Sequence, residues 1–183
     1  MSTLGTALVT WQEFLELPDA PEGSRYELHD GEVVAVLMPT ATPLHVYIQG
    51  LLLEWLTTAA EGRGRGMAEF PYRPAANLQF WYADVAYLPN EDWELMRAET
   101  YGVYAPPLIV EVLSPSNRPK KIQRQRLAAF SGGTREFWVV DPKRQTIEVS
   151  VPGASSRLYS VQDSVPVTVL PGAQFPLSKL FRR

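Results

Sequence analysis

The chain has no cysteine among its 183 residues and only two histidines. That excludes disulfides, thiolate zinc sites and a cysteine nucleophile, so any metal must be held by oxygen or by His29 and His45, a donor set that favours Mg²⁺ or Mn²⁺. No stretch approaches the roughly 18 apolar residues of a membrane span, and the N-terminus lacks the charged and apolar regions of a signal peptide. The expected location is therefore cytoplasmic, with no membrane partner. Positive charge is also scarce: the net charge of −3 argues against a protein that coats nucleic acid without selectivity. What is present is a 45% hydrophobic composition with no repeat and no linker, which predicts one globular domain over residues 1–183.

The stretch Pro106 to Pro142 organises the rest. Leu108-Ile109-Val110-Glu111-Val112-Leu113 is an apolar run of buried-strand length with one carboxylate in the middle. Ser114 to Asn117 offer capping side chains, and the segment Arg118 to Phe130 reads as a helix that Gly132-Gly133 ends. Five of the 17 Lys and Arg residues fall between Arg118 and Arg126. Glu136 to Val140 is a second strand, so the unit is strand, basic helix, strand, normally with the two strands parallel. A buried Glu111 needs a cationic partner: a structural salt bridge to the helix is one reading and a catalytic site is the other.

Upstream, Thr10-Trp11-Gln12-Glu13 has capping-box spacing before a short packing helix that Pro18 stops. Asp30-Gly31 between Arg25 to Leu28 and Val33 to Leu37 predicts a hairpin, on which Glu27 and Glu32 read as solvent-facing. Thr42-Pro43 opens a helix with Leu44, Ile48, Leu51, Leu52, Trp55 and Leu56 on one face and His45 in the first turn, suited to hydrogen bonding or ligation. The glycines from Gly62 to Gly66 serve a helix C-cap or, in a weaker reading, a phosphate approach. Short strand pieces broken by Pro71 and Pro74 lead to a strand at Ala83 to Leu88 that carries Asp84, followed by a short helix capped by Asn90. After Asp141, three runs from Thr146 to Val169 read as a strand meander, and Phe175 to Phe181 docks the tail.

Asp84 and Glu111 thus stand on two strands joined by a segment long enough to lay them side by side. Two carboxylates about 4 Å apart repel by roughly 4 kcal/mol at an effective dielectric near 20, so their convergence calls for a cation such as Mg²⁺. Tyr26-Glu27-Leu28 with Asp30 to Val34, Pro39, His45, Ala83 to Ala86, Leu108 to Pro115, Trp138 to Pro142 and the Phe175 to Phe181 tail together resemble the bacterial Uma family of inferred endonucleases, a branch of the PD-(D/E)xK restriction-endonuclease-like superfamily. The resemblance implies an α/β (α+β) fold with a mixed central sheet flanked by helices, between an N-terminal hairpin and a C-terminal meander. It implies DNA as substrate, a homodimer, and a Mg²⁺ (or Mn²⁺) site on Asp84, Glu111 and the carbonyl of Val112, with Glu27, Glu32 and His45 nearby. The chain departs from the family pattern at Ala83, where a proline is usual, and at Gln125, which aligns with the basic lysine. Lys121, one helical turn earlier on the same face, is the candidate substitute. A Mg²⁺-dependent endonuclease is the leading reading. A catalytically impaired DNA-binding or protein-interaction module is the alternative, and a hydrolase of small phosphoesters, which would need a closed pocket, ranks last.

Overall fold

In the computed structural model, which describes residues 8–37, 42–97, 101–114 and 119–181, the chain opens with one turn of helix, α1 (Trp11–Leu15). The capping box closes it: Thr10 Oγ1 accepts from the Glu13 amide, and the Glu13 carboxylate accepts from the Thr10 amide at 2.8 Å. Strands β1 (Ser24–His29) and β2 (Glu32–Leu37) form the hairpin, pairing Glu27 with Val34. Asp30 and Gly31 at its turn have φ of 52° and 81°, a conformation that Asp-Gly adopts at low cost. Helix α2 (Pro43–Ala59) is capped by Thr42, which accepts from the His45 amide at 3.2 Å. Its buried face is Ile48, Gln49, Leu52 and Leu56, while Leu44 stays exposed.

Strand β3 (Gly64–Tyr72) runs unbroken through Pro71 and folds back on β4 (Gln79–Pro89). Among the described strands β3 pairs with β4 alone, so a missing amide at Pro71 need not break a second ladder. Helix α3 (Asn90–Met96) follows. Asn90 is its first residue and not its cap, because its side-chain amide donates to the Gly62 carbonyl at 2.6 Å. Then come β5 (Leu108–Val112), α4 (Pro119–Ser131) and β6 (Glu136–Asp141), with β5 and β6 parallel as the strand, helix, strand reading requires. The capping residues expected at 115–117, with Arg118 and Pro39, lie outside the described residues.

Strands β7 (Thr146–Ser150) and β8 (Arg157–Tyr159) extend the sheet in the order β2-β1-β4-β5-β6-β7-β8, with β3 also on β4. The expected meander stops there. Strand β9 (Ser164–Pro166) leaves the sheet and pairs with β10 (Gln174–Pro176) in a separate ladder that a 3-10 turn (Leu177–Lys179) ends. Buried Glu136 fastens this ladder to the sheet, accepting from Trp138 Nε1 at 2.7 Å and from the Thr168 amide at 2.8 Å.

Two cores follow. One gathers Ile48, Leu52 and Leu56 of α2, Val110 and Val112 of β5, Trp138 of β6 and Phe175 of β10. The other sets Ile122 and Ala129 of α4 against Trp81 and Ala86 of β4, Ile109 of β5 and Phe137 of β6. Alternating residues of β5 therefore serve both, and helices flank the sheet on its two faces. Each fully buried aliphatic side chain contributes about 1.5–3 kcal/mol. No helix among the described residues is long and apolar enough to cross a membrane.

The glycines that end α4 act for different reasons. Gly133 has a φ of 105°, which other residues resist, whereas a Cβ on Gly132 would lie 2.5 Å from Pro74 Cβ and 2.7 Å from its Cα. Gly132→Ala should therefore destabilise the domain by about 1–3 kcal/mol, the usual cost of overpacking, read as a fall in the urea midpoint.

Candidate metal centre

The pairing of β4 with β5, in which Val85 faces Val110 and Ala86 faces Ile109, continues to place Asp84 across from Glu111. The Val112 amide donates to Asp84 Oδ2 at 2.7 Å, and the Asp84 amide lies 3.4 Å from Glu111 Oε1. Gln125 Nε2 on α4 donates to the same Glu111 oxygen at 2.8 Å and to the Tyr82 carbonyl at 2.9 Å. Glu111 is only 5% exposed. Burial, and next the Asp84 charge, push the Glu111 carboxyl well above the usual range. Burial likewise pushes Asp84 up to about 6, against the opposing pull of the Val112 amide and His45. Two acids that resist ionisation side by side form a cluster ready for a cation.

Sequence reasoning missed part of that cluster. His45 Nε2 stands 3.8 Å from Asp84 Oδ2, and ligating atoms of His45, Glu69 and Asp84 all lie within 4.8 Å of one another. Glu69 is reached through the backbone. It has a φ of 47°, and the β3–β4 register passes from Ala68–Val85 to Phe70–Ala83 with no pair at Glu69. Gln49 of α2 fills that interruption, its Nε2 donating to the Asp84 carbonyl at 3.1 Å and to Glu69 Oε1 at 3.0 Å. An amide on the buried face of an otherwise apolar helix was the only sequence signal available; nothing in the pattern marked Glu69. The donor set of two carboxylates and one imidazole, with the Glu111 carboxylate on the adjoining strand, fits a hard divalent cation of the Mg²⁺ or Mn²⁺ type.

The other candidates are placed as follows. Glu27 is not solvent-facing but fully buried, since β1 lies between β2 and β4. Burial pulls its carboxyl upward, but hydrogen bonds from His29 at 2.7 Å and Lys121 at 3.0 Å outweigh it, so its affinity for protons is lowered. Lys121 is thus held on Glu27, and its charge lowers the proton affinity of Glu111. Gln125 is buried against Glu111, and its Oε1, like the Tyr72 hydroxyl, has no hydrogen-bond partner among the described residues. Glu32 is exposed, bound to Arg124 at 3.4 Å, and is not brought to the centre. Val112 is buried, with its amide spent on Asp84. Three residues of the basic patch are held in ion pairs: Lys121 binds Glu27, Arg124 binds Asp30 at 3.1 Å, and Arg126 binds Glu148 at 2.6 Å. Gly64 and Gly66 belong to β3 and form no phosphate loop.

A mixed sheet flanked by helices, with carboxylates meeting on adjoining central strands, defines a restriction-endonuclease-like protein of the kind that usually depends on a metal. The chain belongs to the Uma2 family, described as "Putative restriction endonuclease", whose profile matches residues 11–178. It is similar in fold to a crystal structure from Anabaena variabilis ATCC 29413 described as "a putative nuclease belonging to DUF820". The two share 23% identity with a TM-score of 0.78, over 94% of this chain and 97% of that one. No curated protein matches the chain.

The raised Asp84 carboxyl has a stability consequence. Between the unfolded value near 4 and about 6 the folded state binds the extra proton, so stability falls as pH rises through that window and stays low above it. Metal-free Asp84→Asn should therefore be more stable than the parent at pH 7.5, by on the order of 2 kcal/mol, with the gap closing toward pH 4 in thermal melts. Added Mn²⁺ should raise the parent's melting temperature and leave that of the variant unchanged.

Proposed function

We propose that the protein is a metal-dependent endonuclease that hydrolyses phosphodiester bonds in DNA. The observation that carries this reading is the meeting of ligating atoms of Asp84, Glu69 and His45 within 4.8 Å of one another, beside buried Glu111 on the adjoining strand, with Asp84 and Glu111 held against ionisation. Asp84, Glu111 and the Val112 carbonyl would hold the ion, with His45 and Glu69 completing its surroundings. A divalent cation bound there supplies an activated water and a counter-charge for the phosphate.

The chain's own groups do the rest. Gln125 fixes the Glu111 carboxylate by donating one N–H to it while the other is anchored on the Tyr82 carbonyl. Being neutral, it adds no charge at the phosphate. Lys121, whose side chain is 32% exposed and tethered by its tip to Glu27, is the cation that can face substrate on this side of the cleft. A lost charge donor of this kind costs on the order of 10² to 10³ in rate. Homodimerisation, DNA as partner and a cytoplasmic location complete the reading. A second reading, a DNA-binding or interaction module without turnover, draws on the neutral Gln125 and on the basic residues of α4 spent in internal ion pairs.

Calorimetric titration of Mg²⁺ and Mn²⁺ into parent and Asp84→Asn, with supercoiled-plasmid nicking on the same samples, separates these readings. Saturable binding and nicking that both vanish in the variant are expected. Lys121→Ala should slow nicking about 10²-fold with binding retained, and Gln125→Lys should speed it. Binding without nicking in any of these proteins would favour the interaction module, and absence of binding would remove the metal centre.

A further inference from the structure

Arg25 of β1 has no part in the account above. Its guanidinium lies 3.9 Å over the Tyr82 ring, its Nη1 donates to Glu69 Oε2 at 2.5 Å, and its Nε stands 3.7 Å from Glu27 Oε1. That Nε is buried with no hydrogen-bond partner among the described residues. The side chain is 21% exposed. Its charge reaches the centre, since it is among the groups that pull the Asp84 carboxyl downward.

Both oxygens of Glu69 are engaged, Oε1 by Gln49 and Oε2 by Arg25. Each oxygen keeps a lone pair for a cation, so a neutral donor can stay when Glu69 becomes a ligand, but a charged donor is repelled. Gln49 is neutral and also anchored on the Asp84 carbonyl, whereas Arg25 would face a like charge at close range. Arg25 is the donor that yields. Once released from Glu69, the guanidinium has Nη1 free beside Nη2 at its tip, while its Nε stays buried and the Tyr82 ring still holds it beside the centre. A planar fork with adjacent free N–H groups suits two oxygens of a phosphodiester.

We propose that Arg25 is an internal counter-ion that competes with the divalent cation for Glu69 and, when displaced, binds the substrate phosphate. The inference rests on the metal-centre reading and gives Arg25 two exclusive partners, Glu69 in the metal-free protein and a backbone phosphate in the working one. A purely supporting arginine would do the opposite: by orienting Glu69 it would help metal binding, and its removal would weaken it.

The test is Mn²⁺ titration by calorimetry into the parent, Arg25→Met, Arg25→Gln and Glu69→Gln, with circular dichroism melts of each. Arg25→Met should bind Mn²⁺ about 3- to 10-fold more tightly than the parent. Arg25→Gln, which retains a hydrogen-bond donor without the charge, should show the same gain if Met at this site disturbs folding. Combining Glu69→Gln with either change should cancel it. Plasmid nicking at saturating Mn²⁺ should nevertheless fall on the order of 10²-fold in the Arg25 variants. Weaker or unchanged Mn²⁺ binding in both variants overturns the competition, and undiminished nicking overturns the phosphate contact. If the parent binds no Mn²⁺, the metal centre itself fails and this inference fails with it.

Discussion

Asp84 and Glu111 face each other across two central strands where water is nearly excluded, and most of the polar architecture exists to make that tolerable. An isolated buried carboxylate costs several kcal/mol unless it is protonated or paired. The sheet answers with main-chain and side-chain donors: the Val112 amide for Asp84, Gln125 for Glu111, and Gln49 for both Glu69 and the Asp84 carbonyl. Glutamine and backbone donors satisfy lone pairs without neutralising charge. The arrangement therefore holds Asp84 and Glu111 in place without setting a side-chain cation directly against either, which a purely structural network has no reason to do.

Helix α4 shows the opposite use of polarity. Three of its cations are tied down, Lys121 to β1, Arg124 to the hairpin tip and Arg126 to β7. The exposed pairs among them are each worth little in stability, but together they fix the orientation of the helix that carries Gln125 to Glu111. A basic run that suggests a nucleic-acid patch thus serves first as a clamp on the centre. The Lys121 to Glu27 pair differs in kind because Glu27 is fully buried. Removing Lys121 would leave the His29 ring and the more distant Arg25 guanidinium as its polar neighbours.

Much of this was legible in the residues. The hairpin followed from Asp30-Gly31, α2 from Thr42-Pro43, and the parallel pair of β5 and β6 from two apolar runs around one amphipathic segment, because each is a local rule with a local cause. The meeting of Asp84 with Glu111 needed only that their strands adjoin. What stayed hidden depended on contacts remote in sequence. Glu27 reads as a surface residue on an alternating strand until β4 covers its hairpin. Glu69 reads as nothing at all, since its role arises from a positive φ and an interrupted ladder that no spacing announces. The C-terminal runs give strand patterns but not partners, so they read as one meander although β9 pairs with β10 in a separate ladder.

The charge balance of the centre gives the exchange of lysine for Gln125 a direction. Glu27, Glu69, Asp84 and Glu111 are the acids gathered there; Arg25 and Lys121 are the fixed cations set against them. If all were ionised, two negative charges would remain, the charge of one divalent ion. Without an ion, burial first and the neighbouring acids second make Asp84 and Glu111 hold protons to higher pH than ordinary carboxyls do. A lysine at position 125 would halve that negative excess and weaken the attraction for a cation while adding charge for the phosphate. Glutamine keeps the donor that orients Glu111 and gives up the charge, so the residue that is poorer for a phosphate is better for retaining metal. For the proposed nuclease, the positive field at the phosphate must then come from side chains that are already present and already paired, Lys121 on Glu27 and Arg25 on Glu69. Each is held by an acid, but the two acids are not equivalent: Glu27 is sealed inside the sheet, whereas Glu69 is half-exposed and competes for the ion. Under the proposed exchange, the cation that moves is accordingly Arg25, and Lys121 is the one that stays.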